Sequence, residues 1–236
     1  MPDQMLKSSD EMARAVPIRF PNESADYRAA RTALLAEEIE LRRHIERVAA
    51  LRRALPIGGE VTGDYRFVDE NGSELSLADL FGPHDTLIAY HWMFGPQRQR
   101  PCPMCTSFLG GFAAAANDLV QQVAIAAIAR SPVERQIAFK LERGWDDLPV
   151  FATVGDDFPT IYGGLAPDGN DVPALNVFVK RDGRIFHFYA GEMTGETADP
   201  GQDPRGAPDL SILWTLLDLT PQGRDPHWYP KLNYAS

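Results

Sequence analysis

Thr86-Leu-Ile-Ala-Tyr-His-Trp-Met-Phe94, Gly95-Pro96, Gln97-Arg98-Gln99-Arg100-Pro101 and Cys102-Pro103-Met104-Cys105 follow one another without a break, and this stretch decides the fold. The first segment is apolar, aromatic-rich and of strand length, which reads as a buried strand. Gly95-Pro96 ends it and a short polar loop follows. Downstream, Ser107 to Val120 is rich in alanine and leucine and reads as a helix, with Gly110-Gly111 weakening its first turns. Residues i and i+3 share one helix face. With Cys102 at the helix start, its sulfur meets free backbone N–H groups and the positive end of the helix dipole, and both favour thiolate over thiol. Cys105, one turn deeper, is placed to attack a mixed disulfide formed on Cys102. These are the only two cysteines in the chain, and random placement would give this spacing about one time in a hundred.

Two plainer readings compete. Structural zinc takes four ligands, commonly from two such pairs. No second pair exists, and none of His44, His84, His91, His187 and His227 stands at ligand spacing, so no metal is expected. Free cysteines are also often buried and inert. Against this, the pair falls where a core strand turns into a helix, and Arg98 and Arg100 stand beside it.

Composition narrows the class. A chain of 236 residues, 44% hydrophobic and 24% charged, holds one ample core with room for an extra arm. A formal charge of -10 argues against a nucleic-acid partner, which wants a basic face. Met1 to Ser24 has no basic-then-apolar leader, and the longest apolar run, Val123 to Ala129, is too short for a bilayer. The expectation is a cytoplasmic protein without a membrane partner, and in a reducing compartment a cysteine pair reads as catalytic or redox-sensing.

Along the chain, residues 1–25 contain Pro2, Pro17 and Pro21 without periodicity and read as an irregular arm. Residues 26–56 carry an amphipathic helix, Asp26 to Leu55, in which Leu34, Leu41, Val48 and Leu55 recur every seven residues. That stripe is expected to be buried, first on its own domain and alternatively in a homodimer contact. Residues 57–225 form the main domain. Tyr65 to Val68 reads as a strand, Asp69 to Gly72 as a hairpin-type turn, and Ser76 to Phe81 as a short helix capped by Ser76. Gln122 to Ala129 and Pro149 to Val154 read as strands around a helix from Ser131-Pro132 to about Arg143. Leu175 to Lys180 and Arg184 to Tyr189 make a hairpin, Asp209 to Leu217 a closing helix, and residues 226–236 a tail. A crossover followed by a hairpin and a helix implies an α/β fold. Its mixed β-sheet is sandwiched by helices in thioredoxin-like fashion, with an N-terminal helical extension.

The chain also resembles a bacterial thioredoxin-like family of predicted dithiol-disulfide oxidoreductases, catalogued as domain of unknown function 899. The resemblance rests on Arg53-Ala-Leu-Pro56, Asp64-Tyr-Arg-Phe67, Leu77-Ala-Asp-Leu-Phe81, Tyr90-His-Trp-Met-Phe-Gly-Pro96 and Cys102-Pro-Met-Cys105. Asp182-Gly183 with Phe186-His187, and Leu217 to Asp225, complete it over about residues 26–225. It implies a thiol-disulfide oxidoreductase acting through Cys102 and Cys105. It further implies a cis-proline facing the pair, for which Pro173 is the candidate. Val172, Pro103 and Met104 join Pro173 as expected substrate contacts, and Arg100 and His91 as candidates for tuning the thiols.

The leading expectation is an enzyme in which Cys102 attacks a disulfide of a protein or small molecule and Cys105 resolves it. A thioredoxin or glutathione system then restores the dithiol, and no further cofactor is expected. A peroxiredoxin-like peroxide reductase is the alternative, although Gln99 stands where such enzymes commonly place Thr or Ser. The third reading is a non-enzymatic redox-sensing or partner-binding protein.

Overall fold

A computed structural model describes residues 6–192, 212–220 and 227–234. The chain divides into two compact units, residues 1–56 and 57–236. In the first, α1 (Ser9–Ala15) starts on Ser8, whose hydroxyl accepts from the Glu11 N–H, and α2 (Ala25–Arg53) starts on Ser24 in the same way. The arm expected to be irregular therefore contains a helix. The capping Ser8, with Glu11 three residues on, is the local reason for it. Ala13 of α1 and Ala36 and Ile39 of α2 form a small core with Met12 and Leu35. The heptad stripe is on another face, and Leu34, Leu41 and Leu55 are exposed. Within this unit the stripe therefore takes no part in the core that α1 and α2 share.

The second unit is a single mixed sheet. Its strands are β1 (Arg66–Val68), β2 (Glu74–Ser76), β3 (Thr86–His91), β4 (Ala124–Ala129), β5 (Val150–Thr153), β6 (Ala174–Arg181) and β7 (Arg184–Gly191). Their order is β2-β1-β5-β4-β3-β6-β7. Strands β3, β4 and β5 are parallel, and α3 (Pro103–Leu119) and α4 (Val133–Arg143) make the crossovers. β6 is antiparallel to β3, and β7 to β6. All six residues of β4 are buried, as a central strand covered on both faces requires.

Strand alternation divides the core in two. Tyr90, Trp92, Ile125 and Ala127 meet Leu109 of α3 and Phe139 of α4 on one face. Leu87, Ala89, Ala126 and Ile128 meet Phe81, Phe158 and Phe178 on the other, where α5 (Asp157–Ile161) lies. The fold is thioredoxin-like. One element differs from expectation. Glu74–Ser76 pairs with β1 as a strand, and only Asp79–Phe81 forms a 3-10 turn. Ser76 donates both its N–H and its hydroxyl to the Asp79 carboxylate, but it is not the expected helix cap, since the 3-10 turn starts on Ala78 with no side-chain cap.

The far edge of the sheet is covered. Residues 59–61 run along β7, with Val61 N–H donating to Ile185 O at 2.8 Å and His187 N–H to Gly59 O at 2.9 Å. At the C-terminus, α6 (Ile212–Asp218) lies near α3, and Leu232 packs on the Phe139 side of the core while its carbonyl accepts from Arg143. The loop at 199–208 and the Gly223-Arg224-Asp225 motif lie outside the described residues.

Candidate active site

After His91 the chain leaves the sheet in a turn fastened at both ends. Trp92 N–H donates to Ile128 O at 2.7 Å, Ser131 N–H to Phe94 O at 2.9 Å and Cys102 N–H to Met93 O at 3.0 Å. The Asp171 carboxylate accepts the Gly95 N–H at 2.8 Å, and the Arg135 guanidinium donates to the carbonyls of Arg98 and Gln99. Cys102 is then the N-cap of α3, in extended backbone, with Pro103 in the first turn where a missing N–H costs nothing. Thr106 closes the turn by donating its hydroxyl to Cys102 O at 2.9 Å.

Both cysteines are free, and the two residues approach to 3.8 Å. Cys102 is half-buried, whereas Cys105 is 2% exposed. The Cys102 pKa is brought down to about 6, first by the hydrogen bond from the Cys105 thiol, then by the N–H groups of Cys105 and Met104, and last by the Arg98 charge. Burial opposes these. Cys105 is pushed well up by the same bond, by burial and by the Cys102 charge. The Tyr90 hydroxyl is hydrogen-bonded to the Cys105 sulfur, and its own pKa is raised by burial and by that neighbour. A chain of three groups therefore runs from the core to the surface: Tyr90, Cys105, Cys102. Cys102 carries the negative charge and Cys105 keeps its proton.

At pH 7 a thiol with a pKa near 6 is about 90% thiolate, against roughly 3% for an ordinary cysteine near 8.5. Alkylation of the reduced protein is accordingly expected to rise as pH increases through about 6 and to level off by pH 8, with the label on Cys102. Mass mapping after alkylation at pH 6 to 7 checks this, and label found on Cys105 would reverse the assignment.

The other expected residues fall in different places. Pro103 and Met104 are half-buried in the first turn of α3. Val172 and Pro173 are half-buried just before β6, whose first residue, Ala174, pairs with His91. The sheet thus brings them to the end of β3 from which the cysteine loop departs. Arg100 is turned away. Its guanidinium pairs with Glu142, at 2.7 Å for one of two contacts, and covers the Phe139 ring at 4.9 Å. Arg98, not Arg100, is the cation that acts on Cys102.

His91 corrects the other tuning expectation. It alternates with Tyr90 and so faces the opposite side of the sheet from Cys105. It is 2% exposed, and burial lowers its pKa to about 4. Neither ring nitrogen has a partner among the described residues. Gly164 lies flat against the ring, and a Cβ there would intrude on it. Gly164→Ala is therefore expected to destabilise the fold by about 1–3 kcal/mol through overpacking, lowering the melting temperature by roughly 3–10 °C. Differential scanning calorimetry measures it. His187 lies farther along the sheet, where its Nε2 meets Asn176 Oδ1 at 2.8 Å.

Tyr90, Asp171 and Arg130 carry parts of the site that the local pattern did not single out. Asp171 is buried and binds Gly95 N–H and Arg130 Nη1, the latter at 3.1 Å, with Arg98 Nε at 3.8 Å. Arg130 also grips Asp156 through two contacts, at 2.8 and 3.1 Å. Period-two alternation from the buried Trp92 places Tyr90 on the face that receives α3, which is the one cue the sequence held for it.

Among solved structures, a peroxidoxin from Mycobacterium tuberculosis is 18% identical over 56% of this chain and 82% of its own, with a TM-score of 0.43. A thiol peroxidase from Chromobacterium violaceum is 15% identical over 70% and 87%, with a TM-score of 0.45. The exposed lipoprotein thioredoxin of Streptococcus pneumoniae is 17% identical over 65% and 98%, with a TM-score of 0.39. No curated protein matches the chain. A family model, described as "Bacterial protein of unknown function (DUF899)", matches residues 18–234, so the chain belongs to that family.

Proposed function

We propose that the protein is a dithiol-disulfide oxidoreductase. The observation that carries the reading is the pairing of a half-exposed, low-pKa Cys102 with a buried Cys105 that already touches it and holds the proton. The Cys102 thiolate attacks a substrate disulfide, forms a mixed disulfide and expels one substrate thiolate. Cys102 is then neutral, and the charge that held the Cys105 proton is gone. Cys105 loses that proton and attacks the Cys102 sulfur. The second substrate thiolate leaves, the substrate has gained two electrons, and a Cys102–Cys105 disulfide remains. A thioredoxin or glutathione system is the proposed reductant that restores the dithiol, in a cytoplasmic setting. Val172, Pro173, Pro103 and Met104 are the proposed substrate-facing surface around Cys102.

Peroxide reduction is the second reading, favoured by the same thiolate beside Arg98. There Cys102 becomes a sulfenic acid and releases water or alcohol, and Cys105 condenses with it to the same disulfide. One experiment separates the readings. The reduced protein is mixed with excess insulin, a small aromatic disulfide or hydrogen peroxide, with a dithiol present to regenerate it. Many turnovers with disulfides and few with peroxide is the expected result. The reverse preference supports the peroxidase, and a single stoichiometric oxidation with each oxidant overturns both enzymes in favour of a sensor.

A further inference from the structure

We propose that Tyr90 is a further catalytic residue, whose hydroxyl stabilises the Cys105 thiolate that forms as the mixed disulfide is resolved. The role presupposes the two-step exchange of Cys102 and Cys105. Tyr90 is buried on β3, between Ala127 of β4 and Leu175 of β6. Its ring lies 4.8 Å from that of Phe108 and 6.4 Å from that of Phe112, on the face of α3 that also carries Cys105. A phenylalanine would fill this place equally well. The added hydroxyl must find a partner there, because a buried O–H without one loses its hydration for nothing. Its partner is the Cys105 sulfur. The Met93 N–H is aimed at the same sulfur, while the Met93 carbonyl holds the Cys102 N–H at 3.0 Å. Two donors fixed at the end of one central strand therefore converge on Cys105.

A thiol sulfur is a weak acceptor and a thiolate a strong one, so both donors gain most once Cys105 has lost its proton. Preorganised donors of this kind act where charge develops during a reaction. In the resting pair that moment is held off, since Cys105 donates to the Cys102 thiolate and the neighbouring charge opposes a second one. In the mixed disulfide Cys102 is neutral and its sulfur is the electrophile. Cys105 then ionises against Tyr90 and Met93. A bond forms between the two cysteine sulfurs, the bond from Cys102 to the substrate sulfur breaks, and the proton that Cys105 gave up ends on the product thiol. The titratable groups that act on Cys105 are Cys102 and Tyr90. Around this core β4 presents Ile125 and Ala127, α4 Phe139 and β6 Leu175, all apolar. Burial raises the pKa of Tyr90 itself, so it stays un-ionised and remains a donor while Cys105 titrates.

Stopped-flow mixing of the reduced full chain with an equimolar symmetrical aromatic disulfide reads the two steps apart. The first coloured thiolate is released as Cys102 attacks, and the second as Cys105 resolves. Tyr90→Phe keeps the ring and is expected to keep the fold, checked by circular dichroism. In this variant the first release is expected to be unchanged and the second to slow about 10- to 100-fold, as for the loss of a hydrogen bond to a charged group. The rise of the second release with pH is expected to move upward, because the ionised form of Cys105 has lost a donor. A fluorotyrosine at position 90, a stronger donor of almost the same shape, is expected to move that rise downward. A second release with the parent's rate and pH profile in Tyr90→Phe, an equal slowing of both releases, or an upward shift with fluorotyrosine would each overturn the proposal and leave the exchange itself standing. A parent chain that releases one thiolate only would overturn both.

Discussion

Cys102→Ser is expected to lower disulfide turnover to the uncatalysed rate, because the remaining thiol of Cys105 is 2% exposed and buried away from any substrate disulfide. Cys105→Ser is expected to fail differently. Its Cys102 can still attack and expel one substrate thiolate, but nothing resolves the product, so a mixed disulfide accumulates at one substrate per chain. Intact-mass spectrometry of each variant after exposure to a small disulfide reads the outcome. Substrate mass on Cys105→Ser and none on Cys102→Ser is the expected pair. Continued turnover by Cys102→Ser would defeat the oxidoreductase reading. A Cys105→Ala variant removes the donor that holds the Cys102 pKa down, which a serine hydroxyl can replace, so the first step of the alanine variant is expected to need higher pH than in the parent.

The second large effect lies away from the sulfurs. Asp171→Ala should cost about 2–4 kcal/mol, since it strips a buried N–H and a buried guanidinium of a shared acceptor. Arg130 keeps its two contacts to Asp156, which places the loss below that of a fully orphaned charge. For a domain of this size that is a fall of roughly 5–15 °C in melting temperature. Asp171→Asn can still accept from Gly95 and is expected to lose about half as much. Calorimetry on the three proteins orders them. An unchanged melting temperature for the alanine variant would show that this carboxylate does not secure the loop.

What could be read beforehand follows the range of the interaction. The β3 strand, the turn and the cysteine helix are written in consecutive residues, so the position of Cys102 at a helix start was legible. The β6–β7 hairpin was legible for the same reason, being two alternating runs around Asp182-Gly183. Asp171 and Arg130 act across loops that only the folded sheet brings together, and no periodicity encodes that. Ser76 misled because Ser-x-x-Asp is a helix-start pattern, whereas pairing with β1 claimed Glu74–Ser76 first. Arg100 misled for a related reason: nearness in sequence to Cys102 did not decide which way its guanidinium points. The seven-residue stripe of α2 gave its own existence and said nothing of its cover.

The strip at residues 59–61 that covers part of β7 has a meaning for the protein in a crowded cell. An open sheet edge offers unpaired N–H and carbonyl groups to any passing strand, and it is a starting point for fibrils. Here part of that edge is already taken, and the opposite edge strand, β2, is three residues long. Gly58 is what lets the strip lie so close, since a Cβ there would collide with the His187 carbonyl. Substituting that glycine would peel the strip away and bare a longer template. The damage would then surface as insoluble protein on storage or overexpression, with the cysteine chemistry of the surviving soluble fraction intact.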